Sequence, residues 1–232
     1  MDVEMRKVKF SEYFKNRIKD IPFAVMCALY MAFCVGCMIY SAVELGARDA
    51  LLAVVYMIFI PAVFVFEYLI GFRVGYILTV LIIFSACGGL LGSSYNIYMI
   101  LPWFDSLLHA VSGILFFAAG FMLAEVFFGK DNVNKHFFGK LAFAIFFSTT
   151  VGAIELNDIT QTVITYDGGK EEWVINGGYM DLGLYDTLND LLIAAAGTVS
   201  IAIVSIISFY KFPKFNKMFI PELVNNRRKP IE

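Results

Sequence analysis

The sequence predicts an all-α, polytopic membrane protein with six transmembrane helices and both termini in the cytoplasm. Three observations predict it. Of the 232 residues, 59 % are hydrophobic and only 16 % charged, against about 45–50 % and about 25 % in an average soluble domain. The mean hydropathy is +0.73. The apolar residues fall into continuous runs, each long enough or nearly so to cross a bilayer, which takes about 20 residues; their continuity, without alternation, excludes a transmembrane β-barrel. With the N-terminus inside, every Lys and Arg except Arg48 and Lys170 falls on an inner segment, as the positive-inside bias requires. The same composition excludes disorder and a secreted disulfide scaffold. A net charge of −2 leaves no basic footprint for nucleic acid.

Residues 1–21 form a cytoplasmic N-terminal segment. Met5, Val8, Phe14, Ile18 and Ile21 recur at roughly helical spacing among basic residues, the pattern of a helix lying on the inner membrane surface. The first span, about 22–43, is too long for a signal-peptide core, and no small-x-small cleavage site follows it, so it is retained. Cys27, Cys34, Cys37 and Cys87 all lie inside apolar runs. The Cys34-x-x-Cys37 pair has no Gly turn, second CxxC or His beside it, and reads as small apolar filler, not as a zinc or redox motif.

The second span covers about 50–70 and the third about 75–91, the third being short and ending in Gly88, Gly89 and Gly92. The fourth covers about 103–128, the fifth about 140–157 and the sixth about 186–210. Gly36, Gly113, Ala118 to Gly120 and Ala194 to Gly197 suit close helix packing in lipid. The outer loop, 158–185, contains Val163 to Tyr166 and Glu172 to Ile175 on either side of Asp167-Gly-Gly-Lys170, which reads as a short extracytoplasmic β-hairpin. The basic tail, 211–232, mixes Phe212, Phe215, Phe219 and Ile220 with lysines and reads as a membrane anchor.

Ionisable groups inside spans cost about 2.5–3.5 kcal/mol each at the bilayer centre, so their positions are informative. The fourth span opens with Asp105 and His109, four apart and therefore on one helix face. The sixth opens with Asp186 and Asp190 at the same spacing. The fifth ends with Glu155 and Asp158, three apart. The topology puts all three pairs near the outer surface. Asp105 and Asp186 are also well placed as helix N-caps, and Asp158 reads as a solvated loop residue. His109, Glu155 and Asp190 have no capping explanation, which leaves either a structural ion pair or a shared functional pocket. Glu67 and Glu125 lie at inner span ends and are accounted for by snorkelling and by pairing with the nearby Arg73 and Lys130. Ser148, Thr149 and Thr150 are expected to bond back to their own helix.

Asp, Glu and His without Cys or Lys make a hard oxygen-and-nitrogen set suited to Mg²⁺, Mn²⁺ or Zn²⁺. Two ligands per helix at i, i+3 or i+4 is how bundles build carboxylate-rich metal sites. The metal set is Asp105, His109, Glu155, Asp186 and Asp190, with Glu155 and Asp190 also the candidate catalytic groups. A divalent cation would neutralise charge that otherwise forces proton uptake. Proton binding, with His109 titrating near neutrality, is the alternative.

These residues carry a resemblance. Asp105-Ser-Leu-Leu-His109-Ala-Val-Ser-Gly113, then Glu155, then Tyr185-Asp186-Thr-Leu-Asn-Asp190-Leu-Leu with Gly197 beyond, look like the YjdF-type bacterial membrane proteins and, more distantly, the VanZ-like group. The resemblance covers roughly residues 50–210. The long loop departs from it, as do Ala194 to Ala196, where VanZ-like chains commonly carry Asn. The YjdF-type resemblance implies no particular activity. The VanZ-like one implies the outer face of a bacterial envelope, by that group's association with low-level glycopeptide resistance.

Three functions follow as expectations. The first is a metal-dependent hydrolase or transferase acting on a lipid-linked or envelope substrate, with Trp103 and Trp173 at the entrance or Trp103 as an interfacial anchor. The second is a cation- or proton-coupled transport or binding protein. The third is a membrane protein with a purely structural ion-pair cluster. Membrane lipid is the one partner expected.

Overall fold

The computed structural model describes residues 5–95, 97–128, 136–165, 172–175, 178–181, 184–211, 222–223 and 228–230. Within these it describes the backbone alone at 5–7, 70, 72, 93, 99, 102, 128, 153–165, 172–175, 178–181, 184–187, 222–223 and 228–230. The described chain is predominantly helical. Four helical stretches are long and apolar enough to cross a membrane: Ile21–Leu45, Ala47–Leu69, Trp103–Phe127 and Leu188–Lys211. Two shorter apolar helices cover Tyr76–Gly92 and Phe137–Gly152. The chain divides into two compact units, Met1–Leu90 with Lys217–Glu232, and Leu91–Asn216.

In the first unit, β1 (Met5–Lys7) leads into α1 (Phe10–Ile18) and α2 (Ile21–Tyr40). Pro22 stands in the first turn of α2, where its missing N–H costs nothing. The helix closes through a π-helical turn, Ser41–Leu45, onto Gly46, whose φ of 112° a side chain would disfavour. The second apolar run does not form one regular helix. It breaks at Ile58 into α3 (Ala47–Met57) and α4 (Phe59–Phe66), because Pro61 has no N–H to give and its ring clashes with the carbonyl four residues back. A π-helical turn at Glu67–Gly71 and β2 (Phe72–Arg73) follow, then α5 (Tyr76–Tyr95). That third run does not stop at its glycines; Gly88, Gly89 and Gly92 lie within α5. Phe23, Tyr30, Cys34, Ile60, Phe64 and Ala86 form the unit's core, and Cys34 is fully buried in it.

The basic tail supplies β5 (Glu222–Leu223) and β6 (Arg228–Pro230). Each pairs antiparallel with a strand far back in the chain, β5 with β2 and β6 with β1.

A polar network joins α1 to the turn after α4. The Arg17 guanidinium donates from Nε to Glu67 Oε2 (3.1 Å) and from Nη2 to Glu67 Oε1 (3.1 Å) and the Val74 carbonyl (2.8 Å). The Val74 N–H donates to Glu67 Oε1 at 2.7 Å, and the Tyr13 hydroxyl donates to Glu67 Oε2. Asp20 accepts from Arg17, Arg73 and Tyr76. Arg17 also lies 3.6 Å over the Phe23 ring. Glu67 is therefore held by Arg17, fifty residues away, and not by neighbouring Arg73. Burial, then the hydrogen bond to Glu67 and that group's charge, push the Tyr13 phenol far above its ordinary pKa of 10.0. A raised folded-state pKa contributes stability below the unfolded value that is lost above it. Stability should therefore fall as pH rises beyond about 10, and Tyr13→Phe should flatten that fall in alkaline unfolding titrations.

In the second unit, α6 (Ile97–Ile100) precedes three long helices: α7 (Pro102–Phe128), α8 (Phe137–Thr165) and α9 (Leu184–Lys211). Lys140 in α8 pairs with Glu125 in α7 at 2.8 Å, and Phe137 stacks on Phe209 with centroids 4.0 Å apart. Early α8 thus meets late α7 and late α9, so α8 runs antiparallel to both, and α7 and α9 run parallel. Glu125 takes Lys140 as a partner from the next helix; the expected Lys130 lies outside the described residues.

The expected hairpin is corrected. Val163 to Thr165 continue α8, while β3 (Glu172–Ile175) pairs antiparallel with β4 (Gly178–Asp181), in a register that sets Ile175 against Gly178. The intervening Asn176-Gly177 is the two-residue hairpin sequence, a stronger signal than Asp167-Gly-Gly-Lys170. Helix propagation through α8 overrides the β-branched residues at 163–165.

Candidate functional site

α7 begins at Pro102, whose fixed φ suits a first helical position. Asp105 therefore sits inside the first turn and not at the cap, where a carboxylate still complements the helix dipole. His109 follows one turn later. α9 begins at Leu184, which places Asp186 inside its first turn, again not at the cap, and Asp190 one turn further on.

The register of α7 against α9 is set by small residues. A Cβ at Gly113 would stand far inside van der Waals contact with the Ala194 carbonyl oxygen, and a Cβ at Gly197 far inside it with the Ala110 carbonyl oxygen. Two Gly–Ala pairs three residues apart thus bring the helix backbones into direct contact. Below that seam, Ser148 from α8 and Thr198 from α9 share a 2.8 Å hydrogen bond, and each reaches the Gly113 carbonyl at 3.2 Å. Ser148 therefore bonds across the bundle and not back to its own helix. Thr149 and Thr150 do bond back, to carbonyls of Ile145 and Phe146. The seam lies one turn beyond His109 and Asp190 on their respective helices, and so delivers those two side chains to each other.

His109 Nε2 lies 3.4 Å from Asp190 Oδ2 and 3.8 Å from Asp105 Oδ1. One ligand atom from each of Asp105, His109 and Asp190 lies within 4.8 Å of the other two. All three are half-buried, Asp190 most deeply. A cation reaching them would find two carboxylate oxygens and an imidazole nitrogen from two helices.

Three of the five residues expected to share a site are thus brought together. The side chains of the other two, Glu155 and Asp186, lie outside the described residues. Gly152, three residues before Glu155 on α8, faces α9 closely enough that a Cβ would stand 3.0 Å from Leu191 Cδ1. Asp158 also lies outside the described side chains.

Sequence reasoning missed Thr198, and missed the pairing of Ala110 and Gly113 with Ala194 and Gly197. The available signal was a small residue one turn beyond each of His109 and Asp190. Exposed Trp103 stands beside Phe104 at α7's start, with ring centroids 6.2 Å apart. Trp173 lies outside the described side chains.

A family model described as "Predicted membrane protein (DUF2238)" matches residues 24–211. No curated protein and no solved structure matches the chain.

Proposed function

On the premise that the chain belongs to this family of predicted membrane proteins, the one its YjdF-type resemblance points to, we propose a multi-pass cell-membrane protein with an outward-facing divalent-cation site. Its six spans would be the four long apolar stretches and the two shorter apolar helices, with both termini cytoplasmic. The Lys and Arg distribution supports that orientation. The distant VanZ-like kinship belongs to the same proposal and rests on the Asp105-x-x-x-His109 and Asp186-x-x-x-Asp190 spacings.

The observation that carries the reading is the convergence of Asp105, His109 and Asp190 within 4.8 Å. The donors are hard oxygens and one imidazole, the set that suits Mg²⁺, Mn²⁺ or Zn²⁺. Asp186, one turn before Asp190 on α9, and Glu155 on α8 complete the proposed set. When bound, the cation supplies Lewis acidity toward a phosphoryl or carbonyl group and toward water. Asp190 and Glu155 then serve as proton acceptors, and Asp105 orients His109 from one turn below. The substrate class is a lipid-linked or envelope molecule arriving from the outer leaflet, with Trp103 at the entrance. The reaction is hydrolysis or group transfer.

Metal analysis of the detergent-purified chain tests this. The wild-type chain should retain a divalent cation. His109→Ala should lower its affinity by more than the about 10–100-fold known for outer-shell partners, with helical circular dichroism unchanged. A folded wild-type chain that takes up no divalent metal would overturn the reading.

One observation favours a second reading. His109 and Asp190 are already in ion-pair range at 3.4 Å, so the pair can hold a proton without a metal. In that case Asp190→Asn should abolish pH-dependent uptake in liposomes. Loss of thermal stability alone, with neither metal nor uptake affected, would leave the pair a structural one.

A further inference from the structure

α1 buries one face and leaves its neighbour partly open, where Phe10 and Phe14 touch Tyr68 and Phe64 yet keep more than a third of their surface exposed. Tyr13 and Arg17 are buried, tied to Glu67 as described above. Around the helix from them stand Phe10, Phe14 and Ile18, at i, i+4 and i+8, each 38–40 % exposed. Ile21, the first residue of α2, is 72 % exposed. Beyond the stripe at helical spacing come Lys15 and Lys19, both exposed. Neither has an ion-pair partner among the described residues. The acid nearest to Lys19, Asp20, is taken by Arg17 and Arg73. Going round the helix, the order is therefore a protein-bound face, an apolar stripe and a cationic edge.

The chain also fixes the level of this helix. Only Lys19 and Asp20 separate α1 from α2, and Ile21 begins a stretch long and apolar enough to span. α1 thus lies at one end of a span, where headgroups are. Apolar area alone would dock on any bilayer; adjacent uncompensated lysines select an anionic one. The hydrogen bonds from Arg17 to Glu67 and Val74 hold the roll of the helix in advance, so docking carries little ordering cost.

We propose that α1 is an anionic-lipid contact: Phe10, Phe14 and Ile18 seat at the boundary between headgroups and acyl chains, and Lys15 and Lys19 engage phosphate-bearing anionic headgroups. Arg17 is a positioning residue and not a lipid ligand, since its donors are committed to Glu67, Asp20 and Val74. The proposal is independent of the Asp–His cluster.

Quenching by brominated lipid tests it. The full chain, with Trp103→Phe and Trp173→Phe, carries Phe14→Trp as the reporter and is reconstituted in phosphatidylcholine vesicles. Brominated phosphatidylglycerol should associate with the reporter about fivefold or more better than brominated phosphatidylcholine, the scale expected per surface lysine. The preference should vanish in high salt and in Lys15→Gln/Lys19→Gln. Equal quenching by the two lipids, quenching by neither, or a preference that survives the double variant would each overturn the proposal. Phe14 packs on Phe64; if the reporter disturbs folding, exposed Ile21→Trp reads the same lipid shell with the same outcomes.

Discussion

Lys140→Met is expected to destabilise the chain by about 3–5 kcal/mol, the usual cost of leaving a buried charge without its partner. Lys140 has no exposed surface and sits 2.8 Å from Glu125, itself 7 % exposed. The two come from neighbouring helices inside an apolar bundle, where Phe121, Phe137, Leu141 and Ala144 are buried. Removing the ammonium strands the carboxylate in that setting. The double variant Lys140→Met/Glu125→Leu should recover most of the loss, because two apolar side chains fill the volume with no charge to desolvate. Unfolding titrations in mixed detergent micelles give the double-mutant cycle. A single variant as stable as wild type, or a double variant worse than the sum of the singles, would show that the pair is not desolvated.

Gly113→Ala should cost about 3 kcal/mol, the upper end of the range for overpacking. The atom in the way is the Ala194 carbonyl oxygen, which belongs to a helix backbone and cannot move by changing rotamer. α7 and α9 must part, and His109 parts from Asp190 with them. On the proposed metal site, divalent-cation affinity should fall with stability, although the substitution touches none of the proposed ligands. Gly139→Ala in α8 is the control: nothing lies within 4 Å of its Cβ direction, so it should be neutral or stabilising by up to about 1 kcal/mol. Equal behaviour of the two variants would mean that the seam is not close-packed.

The polar residues of the bundle show where sequence reading succeeds. Asp105, His109 and Asp190 stood out because an ionisable group in an apolar run has no local reason to be there, and their helical spacing put Asp105 and His109 on one face. Their convergence across two helices depends on a register written in Gly and Ala, residues that signal close packing without naming the partner. Arg17 shows the opposite case. It lies in a basic, amphipathic stretch where every cation looks solvated, yet it is buried against an acid fifty residues away. Sequence proximity points Glu67 to Arg73 for the same reason, whereas the fold gives it Arg17. The hairpin was misplaced because β-branched residues at 163–165 and at 172–175 are equally good strand formers, and only the continuation of α8 separates them.

Membrane character and the residue types of the polar cluster follow from composition and periodicity, because the cost of placing charge or unpaired backbone in lipid acts residue by residue. Partner choice does not. Which carboxylate meets Arg17, Lys140 or His109 is decided by how whole helices slide and turn against one another, a collective property of packed surfaces that no single stretch of chain contains.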